Sequence, residues 1–217
     1  MGFYTDAQRE LQATYESVPL ADLMAATIIA DTIGEEHQSF IESRDFFFLS
    51  TVNGSGEPTV SYKGGDVGLV TVVDPKTIVF PFYDGNGMFL SAGNIVDQAK
   101  IGMLFIDFET PNRLRVQATA SLVDDDPLLE RYPGALALVR AEVDTVFVNC
   151  ARYIHKHRRM APSPYVPDNE GNQPYPSWKR IDLIQDALPP DDQGRADVEG
   201  GTITIDEYAA RLAAGDS

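Results

Sequence analysis

The chain has 217 residues, 43% of them hydrophobic, enough to fill the core of one domain with extensions and to exclude wholesale disorder. Seventeen basic residues against 33 acidic ones leave a formal net charge of −16, a surface that repels nucleic acid instead of neutralising its phosphates. A single cysteine permits no intrachain disulfide, no apolar run approaches the roughly 20 residues a membrane span needs, and the opening MGFYTDAQRE lacks a signal-peptide layout, so the expectation is a soluble cytoplasmic protein without a membrane partner.

Residues 1–44 predict a helical layer. Asp6 is a candidate cap, with Leu11, Tyr15 and Val18 following at helical spacing. After Pro19, LADLMAATIIADTI predicts a second helix and GEEHQSFIESR a third, with Phe40 and Ile41 on one side.

From Asp45 the period changes to that of strands, and residues 45–160 predict the central domain. FFFLSTV and PTVSYKG flank the turn signal NGSGE, which reads as a hairpin. LVTVV, the turn at Asp74-Pro75-Lys76 and TIVFPF predict a second hairpin. DGNG at 84–87 is another turn, and 88–99 predict a short helix. IGMLFIDF, the turn ETPN and RLRVQATASLV add two long strands. In ALALVRAEVDTVFVNC the front half is compatible with helix and DTVFVNC predicts strand. Six or seven short antiparallel strands suggest a barrel, which removes open edges.

Residues 161–178 carry five prolines and predict a long loop, the start of a C-terminal extension over 161–217. The last 36 residues hold nine acids against two arginines. DDQGRADVEGG predicts an irregular, mobile stretch, and TITIDEYAARLAAG a short strand and a helix capped by Thr204 or Asp206.

No nucleotide-binding glycine motif and no HExxH is present. His155 and His157, two apart, gain no support from a wider ligand cluster, so a zinc site is not expected. Cys150 reads as a packed thiol at a strand end before it reads as a nucleophile. The dense basic run RYIHKHRR suits either an anionic ligand or a solvated helix end.

The candidate binding residues come from three segments. In TVSYKGG a strand delivers one cation, Lys63, and then bare backbone at Gly64 and Gly65, which permits close approach of a ligand. DGNGMFLSAGN sets small and polar residues, Asn86, Ser91 and Asn94, around a helix start whose free N–H groups favour an anion. Arg113, Arg115 and Gln117 alternate in phase on one face of a strand. Taken singly, each reads as a turn or a surface strand.

In their order and spacing these segments resemble the pyridoxamine 5′-phosphate oxidase-like family of FMN-binding split barrels, over about Phe40 to Ala120 and more weakly on to Trp178. The resemblance implies a mainly β fold: a six-stranded antiparallel split barrel with N-terminal helices and a helix inserted after the fourth strand. It also implies a homodimer with FMN at the subunit interface, acting as an oxidoreductase on a small-molecule substrate, with relatives that bind F420 or haem or only store a ligand. By that resemblance Ser61, Tyr62, Lys63 and Gly64 face the flavin, and Asp84, Gly85, Asn86 and Ser91 surround its phosphate and ring edge. Arg113 and Gln117 add polar contacts from the same or the other subunit, and Trp178 lies where late residues reach the partner's flavin. The family's second-strand arginine and the Ser-Arg-Lys run at the helix start are replaced here, the latter by Met-Phe-Leu-Ser, so the resemblance implies fold and cofactor more than substrate.

Overall fold

The computed structural model describes residues 2–215 and divides the chain into two compact units, 1–166 and 167–217. The first begins with two helices, α1 (Asp6–Thr14) and α2 (Val18–Ile28). Thr5, not Asp6, caps α1: its hydroxyl accepts the Gln8 N–H while the Gln8 amide oxygen accepts the Thr5 N–H, a reciprocal capping box. Pro19 falls in the first turn of α2, where its missing N–H costs nothing, instead of ahead of the helix. The expected second helix also stops early. Ile29–Ala30 form a two-residue strand, β1, against Phe147 and Val146. α3 (Glu35–Glu42) follows, burying Ile41.

The strands are β2 (Phe46–Val52), β3 (Pro58–Gly64), β4 (Thr71–Asp74), β5 (Thr77–Tyr83), β6 (Lys100–Asp107), β7 (Asn112–Val123) and β8 (Ala135–Asn149), with α4 (Leu90–Gln98) between β5 and β6. All pair antiparallel in the order β3-β2-β6-β7-β8-β5-β4, with β1 beside β8. The architecture is the expected mainly antiparallel split-barrel sheet, with eight strands where six were predicted. Its hydrogen-bonded path is open, ending at β3 and β4.

Local chemistry explains the register. The Asn53 side chain accepts the N–H groups of Ser55 and Glu57 and so shapes the β2–β3 turn. Alternation along β2 buries Phe47, Leu49 and Thr51. Their face meets β5 and β6 in one core, where Phe47 lies edge-on to Phe80 and stacked on Phe105, with centroids 5.1 and 5.4 Å apart. β8 is strand along its whole 15 residues, including the half compatible with helix. It is flanked on one side by β7 and on the other by β5 and then β1, so burial and ladder bonds override the helical preference of its Ala-Leu run.

In the second unit, residues 167–217, Ile181 and Ile203 make a single parallel bridge where a strand was expected. The stretch read as mobile forms a short 3-10 turn and the one-turn helix α5 (Arg195–Val198). Thr204 caps α6 (Ile205–Ala214), its hydroxyl and backbone paired with Glu207 in a second capping box. Lys179 and Asp192, both buried, lie 2.7 Å apart. No helix among the described residues is long and apolar enough to cross a membrane.

Candidate functional site

A cavity of about 250 Å³ opens in the first unit between the ends of β3 and β5 and the start of α4. Phe47, Leu49, Leu69, Phe80, Phe82, Ile95 and Val139 make its apolar wall. Polar groups come from Lys63, Tyr83, Asp84 and Ser91, and Gly64 and Gly85 supply bare backbone.

Strand alternation puts Lys63 there. It pairs in register with buried Phe47, and Ser61 pairs with buried Leu49, so both side chains share the core face of the sheet. Lys63 is half-buried, and among the described residues it makes no hydrogen bond or ion pair. Burial among apolar side chains lowers its pKa below the ordinary lysine value, because the charged form loses water without gaining an acid. The Ser61 hydroxyl lies 3.0 Å from that of Ser91 in the first turn of α4, which joins β3 to the helix. Asn94, one turn on, donates to Thr51 at 2.9 Å and holds α4 against β2. Burial also pushes the Tyr83 hydroxyl up.

The rim is shaped by its backbone. Asn86 is exposed beside the cavity instead of lining it, and its side-chain oxygen accepts the Met88 N–H at 3.1 Å. Gly87 takes φ +75°, and Phe89, the residue before α4, takes φ +51°. A non-glycine residue there stores strain on the order of 1 kcal/mol beside the cavity. Its ring lies 5.7 Å from that of Phe82 on the wall.

The structure therefore brings together Ser61, Lys63, Gly64, Asp84, Gly85 and Ser91, with Asn86 at the rim. Tyr62 edges the cavity, but its ring turns to the other face of the sheet and stacks on Phe46 at 5.4 Å. Arg113 and Gln117 are also on that other face, which alternates with the buried Leu114, Val116 and Ala118. Gln117 accepts a hydrogen bond from Thr145 at 2.9 Å. The Arg113 Nε and the side-chain oxygen of Asn149, its register partner on β8, are both buried without a hydrogen-bond partner. Trp178 belongs to the second unit, half-buried, with the Lys179 ammonium 5.7 Å from its ring centre.

Sequence reading missed the apolar wall around Lys63 and the Ser61–Ser91 contact, which spans 30 residues and carries no local signal. Two other readings are corrected. Cys150 is exposed, its sulfur accepting the Arg152 N–H, instead of packed. The RYIHKHRR run is not a helix end but an irregular segment that begins in a turn, with Tyr153 at φ +71°, and is pinned by the His157 N–H on the Phe108 carbonyl and by Arg159 on Asp45 and Glu109. Among the described residues no group of three metal-ligating side chains gathers.

A family model for pyridoxamine 5′-phosphate oxidase matches residues 33–150, more than half of the chain. The chain belongs to the pyridoxamine 5′-phosphate oxidase family. The matched span runs from just before α3 to the end of β8 and contains the whole cavity wall. Solved structures similar to this member of the family include HupZ of Group A Streptococcus, 21% identical, covering 54% of this chain and 93% of its own at a TM-score of 0.45. An FMN-binding protein of Syntrophomonas wolfei is 12% identical, covering 66% and 97% at 0.43. HutZ, the heme storage protein of Vibrio cholerae, is 22% identical, covering 52% and 92% at 0.38. No curated protein matches the sequence.

Proposed function

We propose that this chain binds FMN in the cavity beside Lys63 and works as a flavin-dependent oxidoreductase on a small-molecule substrate, as a homodimer in the cytoplasm. The observation that carries the reading is Lys63: a half-buried ammonium in an apolar cavity, without an acid partner among the described residues of a chain with 33 acids. A buried cation left unpaired is costly, and an anionic ligand relieves the cost. The donor set fits a phosphorylated aromatic group. Lys63 supplies charge, the Ser61 and Ser91 hydroxyls supply hydrogen bonds, Gly64 and Gly85 leave the backbone approachable, and Phe47, Phe80 and Phe82 offer apolar contact. Bound FMN supplies the electron chemistry, and the protein's part is to hold it, exclude water and place charge near it.

The size of the cavity supports the dimer. Pockets that hold a whole ligand of this class run from roughly 300 to 1,000 Å³, and the 250 Å³ here falls short. Arg113 and Gln117 cannot reach the same ligand as Lys63 within one chain, because the sheet lies between them. On the homodimer reading, the outer face of a second copy brings Arg113 and Gln117 to the first copy's cofactor, and Trp178 is a further candidate contact.

Haem and F420 remain the rival ligands. Among the described residues no histidine, cysteine or methionine lines the cavity, which favours a ligand held by charge and hydroxyls over one held by iron. Titration of apo-protein with FMN, F420 and haem in parallel decides between them. Saturable FMN binding with quenched flavin fluorescence is expected. Saturation by haem or F420 with none by FMN overturns the reading. Reduction of the bound flavin by NADH or NADPH then separates a catalyst from a store.

A further inference from the structure

The chain holds five lysines. Three of them face an acid: Lys76 meets Asp31 at 3.2 Å, Lys100 meets Asp144 at 2.8 Å and Lys179 meets Asp192 at 2.7 Å. Lys156 has no ion pair among the described residues, but it is exposed and its charge stays in water. Among the described residues Lys63 alone combines burial with the lack of an acid. An anionic ligand is one relief for such a group. Loss of its proton is the other, and it turns a cation into a nucleophile.

The surroundings favour the neutral amine when no anion is bound. Lys63 points from β3 to the core face of the sheet, with Phe47 as its cross-strand neighbour. Leu69, Phe80 and Phe82 line the same cavity. Burial there lowers the lysine pKa with no acid to offset it, so more of the amine is unprotonated near neutral pH than at a solvated lysine. Desolvated lysines of this kind attack carbonyl groups and form Schiff bases. The cavity also limits the size of what arrives. An apolar cavity of roughly 150 Å³ holds benzene. The 250 Å³ here takes one aromatic ring with a short substituent, and its phenylalanines give that ring apolar contact. Proton donors line the same space: the Tyr83 hydroxyl, kept protonated by burial, and the Ser91 hydroxyl.

We propose that Lys63 is a covalent carbonyl-binding site whose amine captures a small aromatic aldehyde in the cavity as an imine. The amine nitrogen adds to the carbonyl carbon and gives a carbinolamine. The carbonyl oxygen then leaves as water, carrying the two hydrogens of the amine, as the C=N bond forms. No electrons change hands, so the step needs no oxidant or reductant. The inference stands on the cavity and the amine, and it holds with or without a flavin.

The test treats flavin-free wild type with benzaldehyde and cyanoborohydride, which reduces an imine to a stable benzylamine. Peptide mass mapping then follows the adduct at each lysine, with Lys156 as the internal reference because it too lacks an ion pair. Lys63 is expected to react at least about tenfold faster than Lys156, at a rate that saturates with benzaldehyde at Lys63 only. In guanidinium chloride the preference should vanish with the cavity. Lys63→Arg keeps the cation but forms no imine, and should leave only slow, unsaturable labelling at the other lysines. Lys63 reacting no faster than Lys156 in the folded protein overturns the inference, and so does a preference that survives unfolding. FMN added ahead of the aldehyde keeps the two readings apart. FMN that binds and shields Lys63 supports both. Lys63 labelled as before in protein that takes no FMN refutes the flavin reading alone, whereas FMN binding to a protein whose Lys63 never labels refutes the aldehyde reading alone.

Discussion

Lys63 sets two demands on one side chain. In the absence of a ligand its ammonium sits half-buried without an acid, and burial lowers its pKa. A lysine whose pKa falls on folding binds fewer protons in the folded chain than in the unfolded one. Stability then rises with pH from that lowered pKa up to the ordinary lysine value of about 10.4. Lys63→Met is expected to stabilise the apo-protein at neutral pH by on the order of 1 kcal/mol, since a charge leaves an apolar wall. The same change is expected to weaken FMN binding roughly tenfold to a hundredfold, the worth of a charge-assisted contact. Lys76→Ala is the control: Lys76 pairs with Asp31 in exposed positions, and its loss should leave affinity unchanged. Chemical unfolding from pH 7 to 10, read as wild type minus variant, should show the rise in the wild type alone; a parallel pair of curves would remove Lys63 from the cavity. The sequence already marked this residue, because a lone cation ending a strand before two glycines stands out in a chain of net charge −16. It could not mark the side of the sheet. Alternation tells that Arg113, Arg115 and Gln117 share a face, but whether that is the face of Lys63 depends on the register of β2, β6 and β7, which no local pattern encodes.

At the scale of elements, the hairpins, α4 and their order were legible because turn chemistry and a period of two are local signals. β1 was not: two residues show no period, and Ile29–Ala30 extend a helix-like run until β8 offers them an edge. The front half of β8 was ambiguous for the same reason, its strand state being imposed by neighbours on both sides. The turn into α4 shows how far local signals reach. DGNG was legible as a sharp turn with two glycines, yet they differ. Gly87 takes φ +75° and lies off the cavity; Gly85 lines the cavity without a positive φ, and a methyl there meets no protein atom within 4 Å. Gly87→Ala should therefore cost about 1–2 kcal/mol of stability and leave FMN affinity unchanged. Gly85→Ala should fold with nearly wild-type stability and lose affinity, because its methyl enters the space assigned to the ligand. Thermal unfolding paired with FMN titration reads both. The reverse pattern, with affinity lost only at Gly87, would move the ligand away from Gly85.

On the scale of the whole molecule, the two compact units rest on different physics. Residues 1–166 are held by one apolar core whose largest members, Phe47, Phe80 and Phe105, meet ring against ring. The sequence announced that core through its aromatic strands. The described residues of 167–217 form short helices and 3-10 turns, and few of their side chains are buried apolar groups: Ile181, Leu188, Ala196 and Ile203. At the centre of this unit lies the Lys179–Asp192 pair, and the Tyr175 hydroxyl donates to the Asp192 carbonyl at 3.4 Å. That pairing was invisible beforehand, because a lysine and an aspartate 13 residues apart in an acidic stretch look like two solvated charges. A buried pair costs desolvation at both partners, so it adds little net stability, but removing the Asp192 carboxylate weakens what compensates the buried Lys179 charge. Asp192→Asn is therefore expected to destabilise residues 167–217, by more than Lys179→Met/Asp192→Leu together, which should fall within about 2 kcal/mol of wild type or exceed it. Hydrogen exchange resolves the effect by unit: amides in 167–217 should lose protection in Asp192→Asn while those of β6, β7 and β8 keep theirs. If the single and double variants lose protection equally, the pair acts through Asp192's other contacts, such as Arg195 at 3.8 Å, and the unit is organised by a wider charge network instead.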